Sequence, residues 1–288
     1  MERLLKEIRA ACCVSQERLA ELLGTTFATV NRWENGRAMP GRMAQDKLME
    51  LCEVQRIPLY DLVVKHIKEQ AEVDLAFDRI PLFHGSKSGL SGPIAPISRS
   101  HCDFGAGFYM GTDPIQPLTL VCDFEKSKFY AVSLKLEGLS VLEVQADLTW
   151  AMLVAYHRGK MEPAKDSLLY QQYSKMSEGH DILIGPIAND RMFYVLDNFF
   201  QGNITDVALV QSLSALQLGQ QYVAITEKAC GQIQIEKEIS LSHLERRCLQ
   251  IVSEQNRTRG INLANEICKR HRREGRYFDE ILDGAVGG

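Results

Sequence analysis

Two short helical patterns meet at Gly24, each with its own start signal, and this is the feature that most narrows what the chain can fold into. Ser15 stands before Gln16-Glu17-Arg18, an N-cap residue followed by an acid in the first turn. Leu19, Ala20, Leu22 and Leu23 supply the buried side of this first helix, and Gly24 can take the left-handed conformation that ends it. Thr25-Thr26 give the next cap, and the spacing predicts a helix over 27–35 with Val30 and Trp33 turned inward and Gly36 closing it. Leu4, Leu5, Ile8 and Ala11 form an earlier helical stripe, while 43–54 and 59–67 read as closing helices. Two short helices joined by a tight turn at a glycine are a helix-turn-helix.

The run Ser15-Gln16, Leu19-Ala20, Leu23-Gly24, then Val30-Asn31-Arg32-Trp33-Glu34-Asn35-Gly36-Arg37 and Pro40 resembles the phage-repressor and Xre type of helix-turn-helix domain, over residues 1–70. The resemblance implies that the second helix of the motif enters the major groove of DNA. Phe27, Ala28 and Arg32 would then face base edges, and Arg9, Gln16, Asn35 and Arg42 would meet phosphates. Phe27 and Ala28 can offer only apolar contacts, such as to a thymine methyl, whereas Arg32 can address guanine. Charge does not decide the matter, since 11 lysines and arginines stand against 10 acids over these residues. Such modules pair on two-fold operators, so a homodimer is expected.

Residues 71–79 are polar and read as a linker; from Ile80 the character changes. Strands are expected at 80–83, 129–136, 141–144, 181–186, 221–226 and 232–239, with helices at 147–157, 166–176, 190–200 and 205–216. Residues 85–100, rich in glycine, proline and serine, read as a loop. Strands and helices without regular alternation argue an α+β domain over 80–240. Residues 241–288 form a helical C-terminal appendage, with helices at 241–254 and 261–273 separated by the polar 256–260 and a loose glycine-rich end. The chain is therefore multidomain: all-α, then α+β, then helical. The eight cysteines make no C-x-x-C pair, so no metal site is expected. No apolar run approaches the roughly 18 residues of a membrane span and no signal segment opens the chain, so a cytoplasmic location without membrane contact is expected. The net charge of −4 argues against a nucleic-acid binder that uses its whole surface.

Phe83-His84-Gly85-Ser86 places a histidine at the end of a strand beside two small residues, a backbone held open for a ligand. The loop Asp103-Phe104-Gly105-Ala106-Gly107-Phe108-Tyr109 then delivers an aromatic ring. Together they outline a flat slot, with Tyr109 as one wall and His84 as a polar contact, for a planar heterocycle carrying a sugar. His84-Gly85-Ser86, Phe104-Gly105 with Gly107-Phe108-Tyr109, and Gln221-Tyr222-Val223-Ala224-Ile225 occur in the order found in ADP-ribosyltransferases. The resemblance is to the histidine–tyrosine–glutamate type of diphtheria toxin and poly-ADP-ribose polymerases. The chain is also similar to a bacterial family of transferase-like domains of uncharacterised function, which shares Asp103-Phe104-Gly105, Gly185-Pro186-Ile187-Ala188-Asn189-Asp190 and Thr226-Glu227-Lys228-Ala229.

The resemblance implies NAD as ligand or substrate. His84 would hold an adenosine-side ribose hydroxyl, and the backbone of Gly85 would bind the nicotinamide amide. Tyr109 would stack on the nicotinamide ring, with Ser86, Phe104 and Gly107 completing the NAD site. Gln221 falls where the family has its glutamate, which binds the nicotinamide-side ribose and stabilises the developing cation. Glutamine keeps the hydrogen bond but brings no charge, a loss worth roughly two to three orders of magnitude in rate. Slow transfer, compensation by Glu227, Asp190 or Asp103, and NAD or ADP-ribose binding without turnover all stay open. Two functions follow as expectations. One is mono-ADP-ribosyl transfer to a macromolecular acceptor, in a toxin or phage-defence setting with a possible partner protein encoded nearby. The other is a transcriptional regulator that binds NAD or ADP-ribose.

Overall fold

The computed structural model describes residues 1–187, 190–215 and 219–286. The first five elements are helices: α1 (Glu2–Ala11), α2 (Gln16–Leu23), α3 (Phe27–Glu34), α4 (Arg42–Val54) and α5 (Leu59–Ala71). The start and stop signals act as expected. Ser15 Oγ accepts from the Arg18 amide at 3.2 Å, Thr26 Oγ1 from the Thr29 amide at 3.2 Å, and Gly24 turns out of α2 at φ +67°. Leu19, Ala20, Leu23, Val30 and Trp33 are buried as expected, but Leu22 is 37% exposed. It lies about 100° around the helix from the stripe formed by the other three apolar residues of α2, at its solvent edge.

The remaining elements are β1 (Arg79–Ser86), β2 (Phe108–Gly111), α6 (Ile115–Val121), β3 (Lys128–Lys135), β4 (Val141–Glu143), α7 (Leu148–His157), α8 (Leu168–Lys175), β5 (Ile182–Pro186), α9 (Asp190–Phe200), α10 (Asp206–Ala215), β6 (Gln220–Ala224), α11 (Glu227–Cys230), β7 (Ile233–Ile239), α12 (His243–His271) and α13 (Phe278–Val286). The strands form one sheet in the order β4-β5-β6-β2-β1-β3-β7, antiparallel except for the parallel pair β4–β5. One face packs Phe104, Leu183 and Val223 against helices α7 to α10, with Trp150 fully buried between them. The other gathers Leu82, Phe108, Met110, Tyr130 and Val132.

Four expectations are corrected. The strand expected at 80–83 runs on to Ser86, because β3 pairs with it through Ser86↔Lys128. His84 therefore sits inside a strand. Residues 108–111, expected as loop, form the central strand β2, buried between β1 and β6. The two expected C-terminal helices are one 29-residue helix, α12, roughly 43 Å long at about 1.5 Å per residue. The polar stretch at its middle faces solvent through Arg257, Thr258 and Arg259, and it contains no proline to interrupt the helix. Most of the expected loose end is in fact α13, which buries Phe278, Ile281 and Leu282 against Phe199 and Phe200, while Gly287 and Gly288 lie outside the described residues.

The helix-turn-helix core is continuous with the sheet domain. Leu4, Leu5, Ile8, Leu48, Val63 and Ile67 share one apolar cluster with Phe129, Ile239, Leu244 and Leu249. The first turns of α12 dock there: the Leu244 amide donates to Gln45 Oε1 at 2.7 Å and His243 Nε2 lies 2.7 Å from Asp46 Oδ1. Further along, α12 lies against α9 and α10, with Ala264 and Ile267 buried.

Candidate functional site

Strand β1 pairs with β3 over all eight residues but with β2 at a single pair, Phe83↔Gly111. Continued pairing would set Gly85 opposite Tyr109; the strands part instead. The His84 side chain bridges the split, its Nδ1 2.7 Å from the Tyr109 carbonyl oxygen. A carbonyl only accepts, so Nδ1 carries the proton. Burial pushes the His84 pKa down, against the opposing bond to Tyr109, and the ring is neutral at pH 7. Its Nε2 is thereby left as an acceptor. The imidazole stacks on Phe108 with centroids 4.3 Å apart and planes 22° apart. A cavity of about 300 Å³ opens beside it, lined by His84, Ser86, Leu90, Ile94, Ser98 and Phe108 among others. Ser86 Oγ donates to the Gly89 carbonyl at 2.8 Å and shapes the entry of that loop. Gly85 has no room for a side chain, since a Cβ there would lie 2.5 Å from the Pro117 carbonyl oxygen of α6.

The ring facing His84 is Phe108. Tyr109 lines the cavity, but antiparallel partners share a face, and its pairing with Val223 turns its ring to the α7–α10 side. There its hydroxyl accepts from the Phe104 amide at 3.0 Å and donates to the Gly105 carbonyl at 2.8 Å. Burial raises the Tyr109 pKa, and the phenol stays protonated. Phe104 is 1% exposed and belongs to the core. Gly107 lets β2 lie close on β6, where a Cβ would fall 2.5 Å from Val223 Cγ1.

Gln221 lies opposite Gly111 on one side and Gly185 on the other, on the same face as Tyr109 and away from His84. Its Nε2 donates to the Pro186 carbonyl at 2.9 Å and to Asp103 Oδ2 at 3.4 Å. Both partners only accept, so the amide is oriented with nitrogen inward and Oε1 left to accept. Asp103 Oδ1 is in turn paired with Arg158. The buried Gln221 and Asp103 and the half-buried Arg158 thus form a chain, with Tyr109 pinning the loop that carries Asp103. Of the two acids whose side chains are described, Asp103 and Glu227, it is Asp103 that reaches Gln221. Glu227 is exposed in the short helix past the far end of β6, and the side chain of Asp190 lies outside the described residues. Arg158 and Phe108 were missed in the sequence: nothing in spacing ties Arg158 to a residue 55 positions earlier, and Phe108 reads as packing.

On the helix-turn-helix, Phe27, Ala28, Arg32, Asn35 and Arg42 are exposed. Asn35 Nδ2 donates to the Asn31 carbonyl at 2.8 Å, closing α3. Arg9 and Gln16 are turned inward onto Glu34, which is 1% exposed. Arg9 reaches it in bidentate fashion at 2.6 and 3.1 Å, and Gln16 Nε2 donates at 2.7 Å. Burial alone would raise the Glu34 pKa; the hydrogen bonds from Arg9 and Gln16 outweigh it and hold the carboxyl below its ordinary value. Among the described residues, no cluster of three His, Cys, Asp or Glu could hold a metal ion, and no helix is long and apolar enough to cross a membrane.

Residues 80–235 match the family model described as "Protein of unknown function (DUF3990)", and residues 3–59 match one described as a helix-turn-helix domain. Neither description names a reaction. No curated protein and no solved structure matches the chain.

Proposed function

The chain belongs to the DUF3990 family, with a helix-turn-helix DNA-binding domain joined to it, and on that footing we propose that it is an NAD-dependent mono-ADP-ribosyltransferase. The observation that carries the reading is the fixed tautomer of His84 at the rim of the cavity. An imidazole locked as a neutral acceptor suits a ribose hydroxyl, which must donate, and about 300 Å³ has room for part of a nucleotide. Past the split between β1 and β2, the backbone at Gly85 and the Oε1 of Gln221 would receive the nicotinamide amide and the ribose beside it. In the reaction the bond from ribose C1′ to the nicotinamide nitrogen breaks and its electron pair leaves with neutral nicotinamide. A nucleophile on the acceptor, or water, forms the new bond to C1′ and loses its proton to solvent. The protein's part is to hold both halves of NAD and to meet the positive charge on the ribose.

A second reading has its own observation: position 221 carries an amide where charge is wanted. On that reading the chain is a DNA-binding regulator that binds NAD or ADP-ribose without turnover. Incubation with NAD labelled in the adenosine half, together with bacterial lysate, separates the two. Transferred label and free nicotinamide support the enzyme; saturable binding alone supports the regulator. His84→Ala abolishes binding under either reading, and intact binding in that variant would remove the pocket altogether.

A further inference from the structure

We propose that Asp103 supplies the negative charge of this site and that Gln221 delivers it, so that glutamine at 221 is part of a working pair rather than a lost acid. The inference rests on the transferase reading above and names the positioning residue of the same site. Asp103 is 9% exposed and Gln221 5%, and they come together from loop and strand 118 positions apart in sequence. Arg158 holds one carboxylate oxygen of Asp103, and the other accepts from Gln221 Nε2 at 3.4 Å. Arg158 thereby aims the carboxylate at the amide. The Pro186 carbonyl, 2.9 Å from the same nitrogen, prevents the amide from flipping. With both partners of Nε2 accepting, Oε1 is left to accept from another donor. An amide whose Nε2 donates to a carboxylate is polarised toward its oxygen, and hydrogen bonds chained in this way strengthen one another by about 10–30% per bond. The cation forming at ribose C1′ would thus meet an oxygen made more negative by Asp103, in a site where a polar contact is little screened.

The pair forbids what a lone glutamine would welcome. Gln221→Glu sets a second carboxylate against Asp103 and against the Pro186 carbonyl, with no donor between them. Two carboxylates this close share a proton, so the new acid is held neutral or repelled. Exchanging the two groups restores one acid and one amide: the amide then at position 103 can accept from Arg158 and donate to the carboxylate then at position 221, while the Pro186 carbonyl still faces that carboxylate and keeps the recovery partial.

The test is nicotinamide release from NAD by the full-length protein as wild type, D103N, Q221E and D103N/Q221E, with ADP-ribose affinity by calorimetry on each. Expected are losses of about 100-fold in turnover for both single variants and recovery to within about tenfold of wild type in the double variant, with measurable ADP-ribose binding retained in every variant. Q221E gains an ionisation in its pH–rate profile that wild type and the double variant lack. A merely structural Asp103 would give neither the rescue nor the new ionisation. Q221E faster than wild type, D103N at wild-type rate, or a double variant showing both losses multiplied would each overturn the pairing while leaving the transferase reading intact. A wild-type protein that binds ADP-ribose but releases no nicotinamide overturns it too, because a charge delivered to the ribose requires turnover. No ADP-ribose binding at all removes the reading and this inference together.

Discussion

Leu244→Ala tests whether α12 holds the DNA-binding helices to the sheet domain. Leu244 is fully buried in the cluster that also contains Leu4, Leu48 and Val63, so its truncation removes apolar contact from the helix-turn-helix without touching residues 1–70. Fully buried leucines cost roughly 2–5 kcal/mol when cut to alanine, and about 3 kcal/mol is expected here. The two tryptophans report the two parts separately: Trp33 is buried in α3 and Trp150 in the core of the other domain. Urea unfolding followed by fluorescence in Trp150→Phe and Trp33→Phe backgrounds thus reads each part by itself. Without the leucine change each variant should unfold in one transition, because the shared cluster leaves no boundary at which one part can melt alone. With a slope of about 3 kcal/mol per molar urea, Leu244→Ala should lower the Trp33 midpoint by about 1 M. An unmoved Trp33 midpoint would refute the reasoning and make residues 1–70 an independent unit.

Glu34→Ala strips Arg9 and Gln16 of their shared acceptor and should cost about 3–5 kcal/mol in the same urea assay, with α1 and α3 losing their link. Acid should weaken the protein through His157, whose pKa burial lowers from 6.5 to about 4. The folded state disfavours its proton, so stability present above pH 6.5 is lost as pH falls through 4, by about 3 kcal/mol for this ring; His157→Leu should flatten that part of the urea-midpoint profile. On operator DNA, Arg32→Ala should relax base preference at one position at a cost of about 1–3 kcal/mol. Arg42→Ala should weaken all sequences alike and reduce the salt slope by about 1, both read by binding titrations at several salt concentrations.

The helix-turn-helix was legible because its signals are local. Ser15, Thr26 and Gly24 each act within four residues of themselves, and Val30 and Trp33 follow helical spacing whatever lies beyond. The fate of Arg9 and Gln16 was not legible, since both read as exposed polar residues until Glu34 arrives beneath them from a different helix. Strand β2 was hidden by Gly105 and Gly107 just before it, which read as loop until β1 and β6 close on the strand. Likewise α12 looked broken at 256–260 because polarity on a solvent-facing turn resembles a linker.

The candidate site divides the same way. His84, Tyr109, Gln221 and Asp103 were singled out along the chain by short motifs read through their resemblance to ADP-ribosyltransferases, and motifs name candidates without saying which of them touch. Which of them meet was decided by the sheet. The single Phe83↔Gly111 pair opens the split that His84 bridges, and strand register puts Tyr109 and Gln221 on one face with His84 on the other. The joining of Asp103 to Gln221 and Arg158 belongs to tertiary structure for a plain reason: a hydrogen bond is sensed over about 3 Å in space, and these residues are 55 and 118 positions apart in sequence.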